Sequence, residues 1–507
     1  MLKKLNNMQL IKKTCLQYLL SPWIKYAPKK NILTLNMDSR QSIKGELFIA
    51  VPGVKQDGRN FIYQVIKKQV SAILYNTDNK IEHGIYKYIN QIPIIKFFDL
   101  SKNISKLASR FYDQPEKKLT IIGVTGTNGK TTVTQLINQW SYLLGNKTAT
   151  MGTLGNGFHN SLYPTKNTTS SAIIIHSFLS IALKKKAKLV TMEVSSHSLT
   201  QNRVISIPFY IAIFTNLTPE HLDYHDNMEK YESAKWLLFS THQVQKIILN
   251  ADDPYGKKWL KKLFNFYTVA VTINDSSQKK YATKWLNATQ ITLIDNYVHI
   301  TFESSWGNAE ISSCLIGDFN VTNLLLSLAA LLELGHNLSD IINLSKKIKP
   351  ISGRMQIFTK KNKPIFIIDY AHTPDALKKT LNAIRLHYKK YIWCIFGCGG
   401  EKDKTKRSIM GNIAENISNQ VIITNDNPRH EKETVIIQDI LSGCQKKEKI
   451  IIIRNRKKAI SYAYFKAKYN HIIFIAGKGH ETTQIIRNKS IIYSDQKTVL
   501  NLLEKNI

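Results

Sequence analysis

A chain of 507 residues, 43% apolar and 10% aromatic, has the composition of a globular protein, and at ~150 residues per domain its length suggests about three cores. No apolar run approaches the roughly 18 residues that a spanning helix needs, which speaks against a membrane-embedded class and for a soluble, cytoplasmic protein. The formal charge of +35 is the balance of a nucleic-acid or membrane-surface binder. Its lysines are dispersed, however: the runs at 183–188, 257–262 and 455–459 lie within or beside regular elements without an aromatic platform, and read as solvated helix faces.

The start, MLKKLNNMQLIKKTCLQYLLSPW, reads as an amphipathic first helix, because its apolar part CLQYLL is shorter than a secretory core and no small-residue cleavage site follows. In the part up to residue 113, ELFIAV (46–51) reads as a strand between Gly45 and a Pro-Gly turn, and FYDQPEKK forms a polar boundary. The part from 114 to 347 alternates apolar strands (TIIGV, LVTMEV, IAIFTN, KIILNADD) with helical patterns, as parallel α/β units do. From 348 to 507 the habit repeats in PIFIIDYAHTPDA, YIWCIFGCGGEKDK, QVIITNDNPRHE, KIIIIRN and HIIFIAGKGHE. Each strand runs into a polar cluster, and open parallel sheets bind ligands beyond the carboxyl ends of their strands. The five cysteines (Cys15, Cys314, Cys394, Cys398 and Cys444) are few, odd in number and scattered, so a reducing compartment fits better than a disulfide framework. Cys394 and Cys398 have no second Cys or His pair at metal spacing and read as buried thiols.

The stretch GVTGTNGKTT (123–132) joins an apolar strand to a helical pattern in which Val133, Leu136, Ile137, Trp140, Leu143 and Leu144 share a face. Gly126 and Gly129 allow backbone N–H groups to turn inward, the following helix offers its positive end, Lys130 adds a point charge and Thr131 a hydroxyl for Mg²⁺. The strict GxxxxGK[ST] spacing is not met, since Val124 stands five before Gly129, but the context is that of a nucleotide-phosphate loop. Glu193 and His221 follow successive strands and are candidates for the metal and charge neutralisation that phosphoryl transfer requires.

With GVTGTNGKTT, NTTSSA, MEVSSHSL, FTNLTPEHLDYH, YESAKWLL, GDFNVTNLLLSLAAL, SGRMQ, DYAHTPDAL, FGCGGEKDKTKR, DNPRHE and AGKGHE in one order, the chain resembles the Mur ligases, the ATP-dependent amide-forming enzymes of peptidoglycan synthesis. It is most similar to the branch that adds meso-diaminopimelate to UDP-N-acetylmuramoyl-L-alanyl-D-glutamate. The resemblance implies an α/β fold of three domains: an N-terminal uridine-nucleotide-binding domain (1–113), a central P-loop ATPase-like parallel-sheet domain (114–347) and a C-terminal Rossmann-like amino-acid-binding domain (348–507). It implies ATP bound by Gly126, Thr127, Asn128, Gly129, Lys130, Thr131, Thr132, Asn320, Asn323, Arg354 and Asp369. Lys130, Lys235, Glu193 and His221 become catalytic, with Mg²⁺ held by Thr131, Glu193, His221 and a CO2-derived carbamate on Lys235. On the residues alone Lys235 would be an ordinary helix-surface lysine. The nucleotide-sugar peptide is expected at Met37, Ser39, Val54, Lys55, Gln56, Asn167, Thr168, Thr169, Ser195, Gln201 and Arg203.

For diaminopimelate the resemblance implies Lys402, Asp426, Asn427, Pro428, Arg429, Gly477 and Glu481. Arg429 can clamp a carboxylate bidentately, which suits the second amino-acid head that diaminopimelate has and lysine lacks; lysine-adding relatives usually depart from Arg here. The chain departs from the family in having Lys402 for Arg, Gln356 for Glu and Glu220 for Asp. The partners implied are small molecules, without nucleic acid or membrane, and the expected state is a monomer. Three other readings stay open: an L-lysine-adding ligase of the same family, a folylpolyglutamate synthetase-like ligase, and a basic nucleic-acid-binding module, which would show salt-sensitive binding and no acceptor-dependent phosphate release.

Overall fold

The computed structural model describes residues 13–53, 56–294 and 297–504. Val54 and Lys55 of the expected nucleotide-sugar site lie outside the described residues, as does most of the expected first helix, of which Leu16–Leu20 is helical. The described residues form two compact units: one from the described residues of 13–125, 145–213 and 232–247, the other from those of 126–144, 214–231 and 248–504.

In the first unit a five-stranded sheet runs in the order Leu35–Asn36, Leu47–Ala50, Ala72–Thr77, Ile92–Phe98, Tyr86–Ile89, parallel except for the last pair. The expected strand is there as Leu47–Ala50 and is buried throughout, as parallel strands covered on both faces are. Helix Leu100–Phe111 buries Leu100, Ile104, Leu107, Ala108 and Phe111 in a core that also takes Ala172 and Ile173 from helix Ala172–Lys184. Between these helices Glu116 accepts from His176 Nδ1 at 3.1 Å and from Ser109, so this buried carboxylate is satisfied. Strand Leu189–Glu193 lies parallel to both Thr120–Thr125 and Thr148–Gly152, with Glu193 opposite Val124. That register sets Glu193 at the strand's carboxyl end.

The second unit opens with helix Lys130–Leu143, which buries Val133, Leu136, Ile137 and Trp140 as its 3.6-residue spacing implied. It packs against helix Asp318–Glu333, buried along almost its whole length. The strands Lys284–Ile294, Tyr297–Ser304 and Ala309–Ser313 form an antiparallel meander. A six-stranded sheet follows in the order Gln356–Phe358, Ile365–Asp369, Ile472–Ala476, Ile392–Phe396, Gln420–Ile423, Ile450–Ile452, all parallel but for the first pair. Its central strands are continuous apolar runs, and the segments at 370–373, 397–404, 424–431 and 477–481 leave their carboxyl ends together. Among the described residues no helix is long and apolar enough to cross a membrane.

Under this sheet Arg456 donates Nε and Nη2 to the two oxygens of Asp495 at 2.8 Å each, with both side chains fully buried. Asp495→Ala leaves an uncompensated guanidinium in the core and is expected to destabilise the protein by about 3–5 kcal/mol. Urea unfolding checks this, and an unchanged midpoint would show that the guanidinium finds another partner.

Candidate active site

The turn from strand Thr120–Thr125 into helix Lys130–Leu143 is built on Gly126 and Gly129, with φ of +149° and +86°. A Cβ on Gly126 would collide with Thr215 Oγ1, so only glycine lets the loop backbone come this close to the neighbouring strand end. Asn216 ties the loop from that side: its Oδ1 accepts from Asn128 N at 2.9 Å and its Nδ2 donates to Asn128 O at 3.2 Å. Thr127 Oγ1 donates to Thr218 O at 3.1 Å. Lys130 curls over the loop, donating to Gly126 O at 2.7 Å and Thr127 O at 2.8 Å.

Residues far along the chain reach the same loop. Arg354 Nη2 donates to Thr131 Oγ1 at 3.0 Å and its guanidinium stacks 4.7 Å from the Tyr370 ring centre. Asn128 Nδ2 donates to Asp375 Oδ2 at 3.3 Å. Asp369 accepts from Met355 N at 2.8 Å; burial pushes its pKa up against the pull of Arg354. A cavity of about 80 Å³ is lined by Asn128, Gly129, Thr132, Asn320, Asn323, Arg354 and Asp369, seven of the eleven expected ATP residues, with Tyr370 and His372 added; Gly126, Thr127, Lys130 and Thr131 are not part of its lining. A larger cavity of about 670 Å³ shares Asn216, Asn323 and Lys379 with it and continues past Asn250 and Asp252. Asn320 is not the helix cap, which is Gly317; its Nδ2 reaches back to Ile316 O at 3.0 Å while its Oδ1 accepts from Asn323 at 3.3 Å.

Glu220 stands between two imidazoles, 3.3 Å from His372 Nε2 and 3.8 Å from His221 Nε2. Burial works to raise its pKa, but His372, His221 and Lys130 outweigh it and hold the carboxyl well below the usual range. The longer Glu side chain therefore remains an anion here. Among the described residues no group of three or more His, Cys, Asp or Glu side chains is placed to hold a metal ion.

In the first unit Glu193 is buried with its carboxylate fixed by Thr153, through N–H at 2.8 Å and Oγ1 at 3.0 Å. Gly152 lies so close that a Cβ there would displace it. Around it Thr169 Oγ1 donates to Glu193 O and accepts from Ser195 N, Thr168 Oγ1 lies at hydrogen-bond distance (3.2 Å) from Thr153 Oγ1, and Arg203 donates to Thr169 O and Gln201 Oε1. The expected Thr168, Thr169, Ser195, Gln201 and Arg203 thus form one network. Asn167 is exposed beside it. Met37 and Ser39 instead follow strand Leu35–Asn36, Ser39 opening the 3-10 turn Ser39–Gln41 with its carbonyl oxygen accepting from Lys68 Nζ, and Gln56 is exposed. Lys235, on helix Met228–Ser240, is 1% exposed rather than a surface lysine.

At the six-stranded sheet the segments 426–429 and 477–481 close on each other. Gly477 has φ of +108°, and a Cβ there would stand 2.7 Å from Asp426 Oδ2. Asn427 Nδ2 donates to Glu481 Oε2 at 3.0 Å. Lys478, which the sequence reading passed over within GKGHE, is fully buried and donates to Glu481 Oε2 at 2.7 Å and Asn427 Oδ1 at 3.1 Å. Arg429, itself at φ of +53°, donates to Gly400 O at 2.9 Å, beside the exposed Lys402. The hairpin Thr483–Ile486 and Lys489–Ile492 clamps the loop: Gln484 donates to Asp426 O, Ile485 N to Asn427 Oδ1, Arg429 N to Ile485 O and Arg487 N to Arg429 O. No motif announced this hairpin.

Comparison with known proteins accords with this arrangement. Residues 31–112 match the Mur ligase family catalytic domain, 124–331 the Mur ligase middle domain, and 353–479 the Mur ligase glutamate ligase domain. A UDP-N-acetylmuramoyl-L-alanyl-D-glutamate–2,6-diaminopimelate ligase of Buchnera aphidicola subsp. Acyrthosiphon pisum (strain APS) is 71% identical over 495 residues, 98% of this chain and 100% of that protein. The protein of the same name from Buchnera aphidicola subsp. Schizaphis graminum (strain Sg) is 63% identical, over 98% of this chain and 100% of its own length. A solved structure of a ligase of that name superposes with a TM-score of 0.67 at 28% identity, covering 97% of this chain and 99% of the other.

The segment 399–404 is braced from below: Arg407 donates to both oxygens of Glu431 at 2.7 Å each and to Gly399 O, while Glu401 N donates to Glu431. The Arg407 hydrogen bonds lower the Glu431 pKa from 4.5 to about 2. A carboxyl with a depressed folded pKa contributes stability that is complete above its unfolded value and is lost as pH falls through the folded one. Between pH 4.5 and about 2 the wild type is therefore expected to lose more unfolding free energy than Glu431→Gln. Denaturant titrations across that range decide it, and parallel losses would mean the pair does not discriminate folded from unfolded chain.

Proposed function

The chain belongs to the Mur ligase family, with its three-domain α/β architecture, and we propose from the site that it is the ATP-dependent ligase that joins meso-diaminopimelate to the D-glutamate side-chain carboxylate of UDP-N-acetylmuramoyl-L-alanyl-D-glutamate. The domain limits we assign are 1–113, 114–347 and 348–507. The observation that carries the reading is the meeting of Asn128, Gly129 and Thr132 of the glycine loop with Arg354 and Asp369 around one cavity, with Arg354 also donating to Thr131 Oγ1. The enzyme works as a cytoplasmic monomer on these small molecules.

A carboxylate is a poor electrophile because oxide is a poor leaving group. Transfer of the γ-phosphoryl group of ATP to the glutamyl carboxylate makes an acyl phosphate; the amine of diaminopimelate attacks its carbonyl, and phosphate leaves as the amide forms. Lys130, already lying across the loop, neutralises charge on the moving group, and Arg354 does so from the other side. The adenosine part occupies the larger cavity beside Asn323. Glu193 and His221 bring oxygen and nitrogen donors and Thr131 a hydroxyl; Mg²⁺ characteristically takes only one or two carboxylates and completes its shell with phosphate and water. Lys235 is buried on its helix, and we assign it the carbamate, which would give an oxygen donor in place of a cation. When bound, Mg²⁺ supplies charge neutralisation at the phosphates.

The nucleotide-sugar peptide is assigned to Met37, Ser39, the 54–56 turn, Asn167, Thr168, Thr169, Ser195, Gln201 and Arg203. Diaminopimelate is assigned to Lys402, Asp426, Asn427, Pro428, Arg429, Gly477 and Glu481, with Arg429 on the distal carboxylate and Glu481 on its ammonium. Phosphate release with the UDP-dipeptide substrate tests the whole: it is expected with meso-diaminopimelate and not with L-lysine, whereas release with lysine alone would overturn the acceptor and silence with both the reaction. Lys130→Ala is expected to abolish turnover, and near-normal rates would remove Lys130 from the chemistry. Arg429→Ala is expected to weaken diaminopimelate by about 2–4 kcal/mol in KM, leaving that of ATP little changed. Equal effects on the two KM values would place Arg429 outside the acceptor site.

A further inference from the structure

We propose that Lys478 is a positioning residue that sets the charge preference of the acceptor site, so that the site takes a zwitterionic amino-acid head and turns away a lone ammonium. The proposal rests on the assignment of Asn427, Arg429 and Glu481 to diaminopimelate above. Lys478 is 0% exposed, at the end of strand Ile472–Ala476, and its ammonium meets Glu481 Oε2 at 2.7 Å and Asn427 Oδ1 at 3.1 Å. Asn427 closes the ring by donating Nδ2 to the same Oε2 at 3.0 Å. Its Oδ1 also takes Ile485 N at 2.9 Å, which fixes which way the amide faces. Two donors thus saturate one oxygen of Glu481, while the side chain stays 29% exposed and Oε1 takes no hydrogen bond among the described residues. The carboxylate is held in one orientation with one oxygen left for an incoming cation.

The charge balance gives the specificity. Lys402, Arg429 and Lys478 are cations, Asp426 and Glu481 anions, and Arg429 and Lys402 both come up against Gly399 while Asp426 abuts Gly477. A head that carries carboxylate and ammonium adds no net charge to this excess of one cation. The side-chain ammonium of L-lysine would add to it. Because Lys478 is buried behind Glu481, its charge cannot be screened by solvent as that of exposed Lys402 can. It discounts what Glu481 can offer a bare cation and leaves the carboxylate of the head to be satisfied by Arg429. Discrimination of this kind arises from a repulsive element beside the attractive one.

The test is the ratio of kcat/KM for meso-diaminopimelate to that for L-lysine in ATP-dependent phosphate release. Lys478→Gln, which keeps a donor but removes the charge, is expected to lower the ratio by roughly tenfold or more while KM for ATP stays within about twofold. Glu481→Gln leaves three cations to one anion and is expected to raise the ratio instead. A merely structural lysine would lower both acceptors together and leave the ratio where it was, and that result in a folded Lys478→Gln variant overturns the proposal. Should that variant lose its thermal unfolding transition, Glu481→Gln decides: a higher ratio supports the charge argument and an unchanged one overturns it. No release by the unaltered protein with either acceptor would overturn the ligase reading itself, a different failure from a fixed ratio in an active enzyme.

Discussion

The close approach of the 126–132 loop to the Thr215–Asn216 strand end is the constraint on which the rest of the nucleotide site depends. Gly126 admits it because any Cβ would strike Thr215, and Asn216 then binds the Asn128 peptide from both sides. The loop's backbone is thereby shaped by protein contacts, Thr127 N and Asn128 N both donating to Asn216. The same approach brings Glu220 near Lys130 and His372, so an acid that burial alone would neutralise stays ionised.

A second braced element is the loop that we propose faces the acceptor. Loop 426–429 is short, left-handed at Arg429 and buried at Asn427 and Pro428, a conformation that would not persist unsupported. It is held by backbone bonds from the hairpin at 483–492 and by the buried lysine of 478. Precision in an amino-acid site on a loop therefore comes from what packs behind it.

Much of this was legible in the chain. The strands at 120–125, 189–193, 365–369, 392–396 and 472–476 announce themselves because parallel strands covered on both faces are unbroken apolar runs. Gly126 was legible because its place follows from backbone freedom, while Lys130 and Arg429 stood out as fixed charges whose roles remain proposals. The meander at 284–313 and the hairpin at 483–492 were not, since half-exposed strands alternate weakly and their partners are fixed by tertiary contact. Lys478 was missed for a related reason. A lysine beside two glycines looks like a solvated turn, and only the fold reveals its side chain at zero exposure. Asn216, Tyr370 and His372 stood inside motifs already singled out, but nothing local distinguishes a residue that ties a loop from its neighbours.

The departures from the family pattern become intelligible in the same terms. Gln356 accepts Gly353 N at 3.0 Å with its amide oxygen, a bond that asks for an acceptor and not for a charge. That bond lies in segment 352–356, which touches both halves of the chemistry. Arg354 meets the phosphate loop at Thr131, and Gly353 packs so tightly on Gly479 and His480 that a Cβ would overlap their backbone. One short stretch of chain thus packs against both the glycine loop and the segment that bears Lys478 and Glu481, Arg354 on the one and Gly353 on the other.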